Sequence, residues 1–218
     1  MRRGVITATA IGLFACSGDD KTPDLSVAIT ASAEAGQPAN EASVRYHVTV
    51  YDHGCRDSSC SRGDAIVTAG ASGDTPEKLR SVGTTDFPGE FEGTTQGLAT
   101  THTITLVLDG HTYRYDDLPM PALHTMTLNP DPPTRNAPVE MTWSPNLDDD
   151  FSATAYVKDV GTEDPLLKDA SKDRGRWDIP ASAVSPGVLR FGIIRSKALR
   201  QLSGNASVDV FKSVNVAE

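Results

Sequence analysis

Period-two alternation of apolar and polar residues is what most constrains the fold of this chain. In Val44-Arg45-Tyr46-His47-Val48-Thr49-Val50-Tyr51, one face carries Val44, Tyr46, Val48 and Val50 and the other carries Arg45, His47 and Thr49. Successive strand side chains point to opposite faces, so this pattern describes a half-buried antiparallel strand. Nothing in the sequence repeats at the 3.6-residue period of an amphipathic helix, which points to an all-β chain.

Other segments follow the same rule. Leu25 to Thr30 predicts a first strand, and short strands are expected at Ala65–Thr68, Leu79–Val82 and Gly89–Thr94. Ile104, Leu106 and Leu108 alternate up to Asp109-Gly110, and Tyr113 and Tyr115 continue the pattern beyond it. Asp-Gly suits a type I′ hairpin turn, whose two central residues both need positive φ. A strand over Leu123–Leu128 is expected to close the first half. Four prolines between Pro130 and Pro138 then remove backbone donors and favour extended chain, as in a semi-rigid linker. Val139, Met141 and Trp143 open a second alternating series, followed by Phe151–Val157, Arg176–Ile179, Val188–Ile194 and the terminal Val208, Val210, Val214 and Val216. Many short strands separated by turn residues predict β-sandwiches. A length of 218 residues accommodates two, over 25–129 and 139–218, joined by a linker at 130–138.

The strand Val139-x-Met141-x-Trp143, with a tryptophan early in an all-β unit, resembles immunoglobulin-like and fibronectin type III modules. Asp178-Ile179-Pro180, Pro186-Gly187 and the Leu189–Arg195 strand resemble C-terminal modules of bacterial envelope lipoproteins. The resemblance implies two tandem Ig-like or fibronectin III-like sandwiches and supplies no catalytic motif. Fold analogy alone does not assign function.

The first residues read as an address. Arg2 and Arg3 precede an uncharged run from Gly4 to Phe14, and Ala15-Cys16 leads into Ser17-Gly18-Asp19-Asp20-Lys21. A basic start, a short apolar run and small residues before a cleavage point describe an export signal over 1–15. The run is too short to span a bilayer, which takes about 20 residues. Leu13-Phe14-Ala15-Cys16 resembles the lipobox of bacterial lipoproteins, although Phe14 departs from the usual small or branched residue. The resemblance implies that Cys16 is acylated and that 16–24 is a tether. Ser17, rather than Asp, after the cysteine implies the outer membrane. Cys55 and Cys60 then remain, separated by four residues. In an oxidising envelope compartment this spacing predicts a disulfide that closes a local loop.

Signals of chemistry are sparse. The chain lacks G-x-S-x-G, H-E-x-x-H, Walker, G-x-G-x-x-G and S-x-x-K motifs, so no catalytic residues and no cofactor are expected. A net charge of −9 argues against nucleic-acid binding, which needs a clustered basic face. His47, His53, His102, His111 and His124 all precede the proline-rich segment. His47, His102 and His111 sit at polar strand or turn positions, and the set reads as solvated surface histidines rather than as a metal site. Asn146–Asp150 lacks the spacing of a calcium-binding EF-hand loop and reads as a solvated turn. Arg62-Gly63-Asp64 spells an adhesion tripeptide that recurs by chance, and Asn205-Ala206-Ser207 fits the glycosylation pattern without a role in a bacterial envelope. Trp143 and Trp177 suit core packing, whereas a carbohydrate platform would draw on Trp177, Tyr113 and Tyr115.

These readings converge on a lipid-anchored envelope protein, facing the periplasm or the surface, that acts as a non-catalytic binding or structural module. Its expected partners are the membrane, through Cys16, and an envelope protein or glycan. A carbohydrate- or metal-binding accessory lipoprotein is the alternative.

Overall fold

The computed structural model describes residues 22–144, 151–170, 173–200 and 202–217. The signal segment, Cys16, the tether up to Lys21 and the whole acidic Asn146–Asp150 run lie outside the described residues. Strands dominate, as the alternation requires. In chain order the first half contributes β1 (Asp24–Glu34), β2 (Ser43–Tyr51), β3 (Ile66–Ala71), β4 (Glu77–Lys78), β5 (Arg80–Ser81), β6 (Glu90–Gln96), β7 (Thr101–Leu108) and β8 (His111–Pro119). The second contributes β9 (Met126–Asn129), β10 (Val139–Trp143), β11 (Ser152–Asp159), β12 (Leu167–Asp169), β13 (Arg176–Ile179), β14 (Gly187–Ala198) and β15 (Ser203–Val216).

Eight strands form one sheet in the order β12-β11-β14-β15-β1-β2-β6-β5. Two smaller sheets, β4-β3-β7-β8 and β13-β10-β9, supply the opposing layers. The fold is an all-β sandwich, as the sequence predicts. Inward residues of β1 (Val27, Ile29, Ala31), β2 (Val44, Tyr46, Val48), β7 (Ile104, Leu106) and β14 (Leu189, Phe191, Ile193) belong to one continuous apolar cluster that spans both halves. Burial of this apolar area is the main favourable contribution to folding.

The halves are joined by backbone as well as by side chains. β1 runs parallel to β15 with Val27 opposite Gly204. Gly204 has φ +137, and a Cβ there would lie 1.8 Å from the Val27 carbonyl oxygen. Only glycine fits this approach without displacing the strand. The Asp109-Gly110 hairpin forms as expected, with φ values of 51 and 79 at the two turn residues.

Two expectations change. The strand predicted to close the first half, β9, pairs antiparallel with β10, with Met126 opposite Trp143 and Leu128 opposite Met141. Met126 and Leu128 complete the buried face begun by Val139, Met141 and Trp143, so burial draws the strand to the second half. The proline-rich segment therefore turns the chain between neighbouring strands rather than holding two bodies apart. β15 also begins earlier than its valines suggest. Ser203–Asn205 have no apolar pattern, but all three pair with β1, and Asn205 pairs also with Ala198 of β14.

Candidate functional site

A set of interacting polar groups lies at the pole where the chain enters β1. Cys55 and Cys60 form the expected disulfide, with Cα atoms 6.1 Å apart. Inside the loop Asp57 accepts from Ser59 N–H at 2.9 Å; Ser59 is exposed, Cys55 half-buried and Cys60 buried. The hydrogen bonds to Ser59 hold the Asp57 carboxyl below its ordinary range. The loop grips the incoming chain: His53 Nδ1 donates to the Thr22 carbonyl at 2.9 Å, and Gly54 N–H donates to Asp24 Oδ2 at 3.2 Å. Arg56 Nε stands 4.0 Å from the same carboxylate. Thr22, Asp24, His53, Arg56, Tyr115 and Arg200 bound an open concavity of about 420 Å³.

Next to it, Arg62 organises three carboxylates. Its guanidinium donates to Asp52 at 2.7 Å, to Asp64 at 2.9 and 3.0 Å and to Asp109 at 2.8 and 2.9 Å. Bonding to Asp64 first, and then Asp52, raises the Arg62 pKa, and Arg62 in turn lowers that of Asp64. Arg62 is therefore committed to an intramolecular clamp that ties the segment after the disulfide to the β7–β8 turn. Gly63 is fixed by packing, since a Cβ there would meet Pro88 Cβ at 2.6 Å. The Arg-Gly-Asp tripeptide is accounted for by this clamp.

The five histidines occupy separate environments. His47 Nδ1 lies 3.1 Å from Glu92 on the outer face of the large sheet, where Arg45 also reaches Glu92 at 2.7 Å. His111 stacks loosely on Tyr113, with ring centroids 6.5 Å apart. His102 and His124 correct the expectation of solvated rings, because both are buried. Their positions explain this. His102 shares the inward parity of Ile104 and Leu106, and His124 that of Met126 and Leu128. Tyr46 Oη lies 2.7 Å from His102 Nδ1 and completes a polar pair inside the core. Burial lowers the His102 pKa, and the Ala99 and Gly70 carbonyls offset part of the shift. Burial, aided by the Arg195 charge, lowers that of His124 to about 4. Neither His124 nitrogen has a well-formed hydrogen bond among the described residues.

Among the described residues one His/Cys/Asp/Glu group gathers its ligand atoms, namely Cys55, Asp57 and Cys60. Its sulfurs are bonded to each other and offer no thiolate pair.

Sequence reasoning missed the buried ion pair of the second half. Arg195 Nε donates to Asp173 Oδ2 at 2.8 Å, with both side chains about 5% exposed. Trp143 Nε1 donates to the other oxygen of Asp173, and Arg195 also donates to the Ser144 carbonyl. Arg195 follows Leu189, Phe191 and Ile193 at inward parity, which is the signal that placed it. On the outer face, Tyr156 Oη donates to Asp209 at 3.0 Å, Arg190 donates to the same carboxylate at 3.0 Å, and the Arg190 guanidinium lies 3.4 Å above the Phe211 ring. Burial raises the Asp209 pKa against the pull of Arg190. Of the platform aromatics, Tyr113 and Tyr115 lie on β8 and Trp177 on β13, in different sheets, and all three pack against the core.

No protein-family model and no curated protein matches the chain. Among solved structures, domains A168–A170 of titin align over 90% of this chain and 67% of that one, at 11% identity and a TM-score of 0.31. The human OSCAR ligand-binding domain aligns over 89% of this chain and 97% of that one, at 10% identity and a TM-score of 0.30. These are loose likenesses, and the all-β sandwich stands on the chain's own sheets.

Proposed function

We infer that this chain is an exported, lipid-anchored cell-envelope protein that acts as a non-catalytic binding or structural module. The sequence support is the basic, apolar and lipobox-like run that ends at Cys16. The observation that carries the reading is the disulfide loop beside the start of β1. A Cys55–Cys60 bond belongs to an oxidising compartment, and the loop it closes holds Thr22 and Asp24 through His53 and Gly54. Only six positions separate Cys16 from Thr22, which at about 3.3 Å per residue spans roughly 20 Å when extended. An acylated Cys16 would thus keep this braced pole close to the membrane. Stable anchoring takes more than one acyl chain, as bacterial lipoprotein modification supplies.

Immunoglobulin- or fibronectin-like modules suit presentation of a surface to a partner, by sheet face, loop or strand addition. The carbohydrate reading has less support, since Trp177 and the two tyrosines belong to different sheets.

Intact-mass analysis of the protein from a native membrane fraction tests the anchor. A mature chain beginning at Cys16 and carrying acyl mass is expected. An unmodified chain retaining Met1 rejects it.

A further inference from the structure

The loop that the disulfide closes brings three metal-ligating groups together. Cys55 Sγ, Cys60 Sγ and a carboxylate oxygen of Asp57 all lie within 4.8 Å of one another. A tetrahedral zinc site has Zn–S near about 2.3 Å and Zn–O near about 2.1 Å, so its donors stand about 3.6–3.8 Å apart. Cys60 Sγ and Asp57 Oδ1 already stand at 3.8 Å. The four residues between Cys55 and Cys60 also match the upper end of the spacing common between paired zinc cysteines. Only the bond between the sulfurs keeps them from acting as ligands, so the chemistry of the loop depends on its redox state.

The surroundings favour a cation. Ser59 donates to Asp57 Oδ1 through its N–H at 2.9 Å and through its hydroxyl. These bonds hold the carboxylate beside the sulfurs, as the outer partners of ligating carboxylates do. Arg56 stands 4.0 Å from Asp24, and Arg62 is taken up by Asp52, Asp64 and Asp109. The nearby charges are thus two arginines against four further carboxylates, a balance that attracts a metal ion and repels an anion. His53 has its Nδ1 engaged with the Thr22 carbonyl and is not one of the gathered ligands, which leaves a fourth position for water.

We propose that Cys55, Asp57 and Cys60 form a redox-gated site for a divalent cation of the Zn²⁺ class, closed while the disulfide is intact and opened by a dithiol reductant. A thiolate of the reductant attacks Cys55 Sγ, on the less buried of the two cysteines, and forms a mixed disulfide while Cys60 leaves as a thiolate. The second thiol of the reductant then attacks its own sulfur in that mixed disulfide and releases Cys55. Two electrons pass to the cysteines, and the reductant departs as its own disulfide. The metal replaces the thiol protons, which go to solvent, and takes both sulfurs, Asp57 and a water. His53 and Gly54, which hold Thr22 and Asp24, immediately precede Cys55. The metal therefore takes over the bracing of this pole that the disulfide supplies in the oxidised chain. The site goes beyond the binding reading above and does not depend on acylation of Cys16.

The test uses the whole chain carrying Cys16→Ser, which removes the third cysteine, in its oxidised form and after reduction with a phosphine. Co²⁺ is the probe, because thiolate ligation gives it a charge-transfer band in the near ultraviolet. The reduced chain should bind one Co²⁺ with that band, and one equivalent of Zn²⁺ should bleach it. The oxidised chain should show no band. Asp57→Asn should weaken Zn²⁺ binding by about tenfold or more and shift the visible Co²⁺ bands, which report a change of ligand and not of charge alone. In the reduced chain Zn²⁺ should slow hydrogen exchange at Gly54 by about tenfold or more. A reduced chain without the band at millimolar Co²⁺ overturns the proposal, as does a complex of two chains per metal. Equal Zn²⁺ affinity in Asp57→Asn overturns it too, as does loss of the β-sheet circular dichroism on reduction. Gly54 exchange that Zn²⁺ leaves unchanged overturns the bracing. Intact mass of the native protein reports separately on the anchor, so either reading can fail alone.

Discussion

Two arginines show how differently two regions of this molecule use charge. Arg62 holds three carboxylates, but those of Asp52, Asp64 and Asp109 are all more than half exposed. Arg195 holds one, Asp173, and both partners are almost wholly enclosed. A count of ion pairs ranks Arg62 first, whereas physical chemistry reverses the order. Exposed pairs are screened and contribute about 0–1 kcal/mol each. Removing one partner of an enclosed pair strands a charge where water cannot reach it. The exposed clamp sets where a loop lies, and the enclosed pair determines whether the second half can close over β10 and β14.

The largest expected effect breaks the enclosed pair. Arg195→Met or Asp173→Asn alone should each cost about 3–5 kcal/mol in urea unfolding. Arg195→Met with Asp173→Leu should recover much of that, because no uncompensated charge remains. If either single variant costs no more than Arg62→Ala, the contrast between the two arginines fails.

The next effect reads the same pocket through pH. Burial and Arg195 hold the His124 pKa near 4, below the ordinary 6.5. The unfolded chain therefore takes up a proton between pH 6.5 and 4 that the folded chain refuses. The His124 contribution is complete above about 6.5, declines as pH falls, and is lost below about 4. At 1.36 kcal/mol per pH unit this amounts to about 3 kcal/mol. His124→Phe should flatten that part of the stability profile relative to wild type. Equal slopes in the two proteins would mean that His124 takes up its proton in the folded chain as readily as in the unfolded one.

Much of this architecture can be read from the order of residues, and the failures share a cause. Val44 to Val50 and the Asp109-Gly110 hairpin are local patterns, with the apolar stripe and the turn residues written side by side. The fate of β9 is not local. Met126 and Leu128 look alike from either half, and only pairing with Met141 and Trp143 decides between them. The parallel seam at Gly204 depends on Val27, which is far away in sequence. Buried polar groups were partly legible: His102, His124 and Arg195 all stand at inward parity, and parity was a better guide than polarity. Their partners Tyr46 and Asp173 come from other strands or loops. The sequence signal for Cys55 and Cys60 was sound because spacing alone brings them within reach.

The disulfide sharpens the comparison at the exposed end, where covalent closure and charge act side by side. Cys55→Ser with Cys60→Ser removes a crosslink across a sequence separation of 5. The chain-entropy estimate for so short a loop is about 2 kcal/mol. The loss should appear as a lower urea midpoint and as faster hydrogen exchange at Gly54, whose amide holds Asp24. A local loss of protection with an intact core would show that the crosslink braces this pole rather than the fold as a whole.

The smallest expected effect is also the one most easily overestimated. Arg62→Ala removes every ionic contact of the clamp at once, yet it should cost only about 1 kcal/mol, because its partners regain water when released. Two further readings separate position from energy. The cost should shrink as salt is raised toward 1 M, where the screening length falls to about 3 Å. The β7–β8 turn at Asp109 should lose its fixed position relative to Asp52, visible as sharpened or averaged amide resonances, even though stability barely moves. A salt-independent loss of several kcal/mol would place Arg62 in the same class as Arg195. The exposure of its three carboxylates would then be a poor guide to the environment the guanidinium occupies.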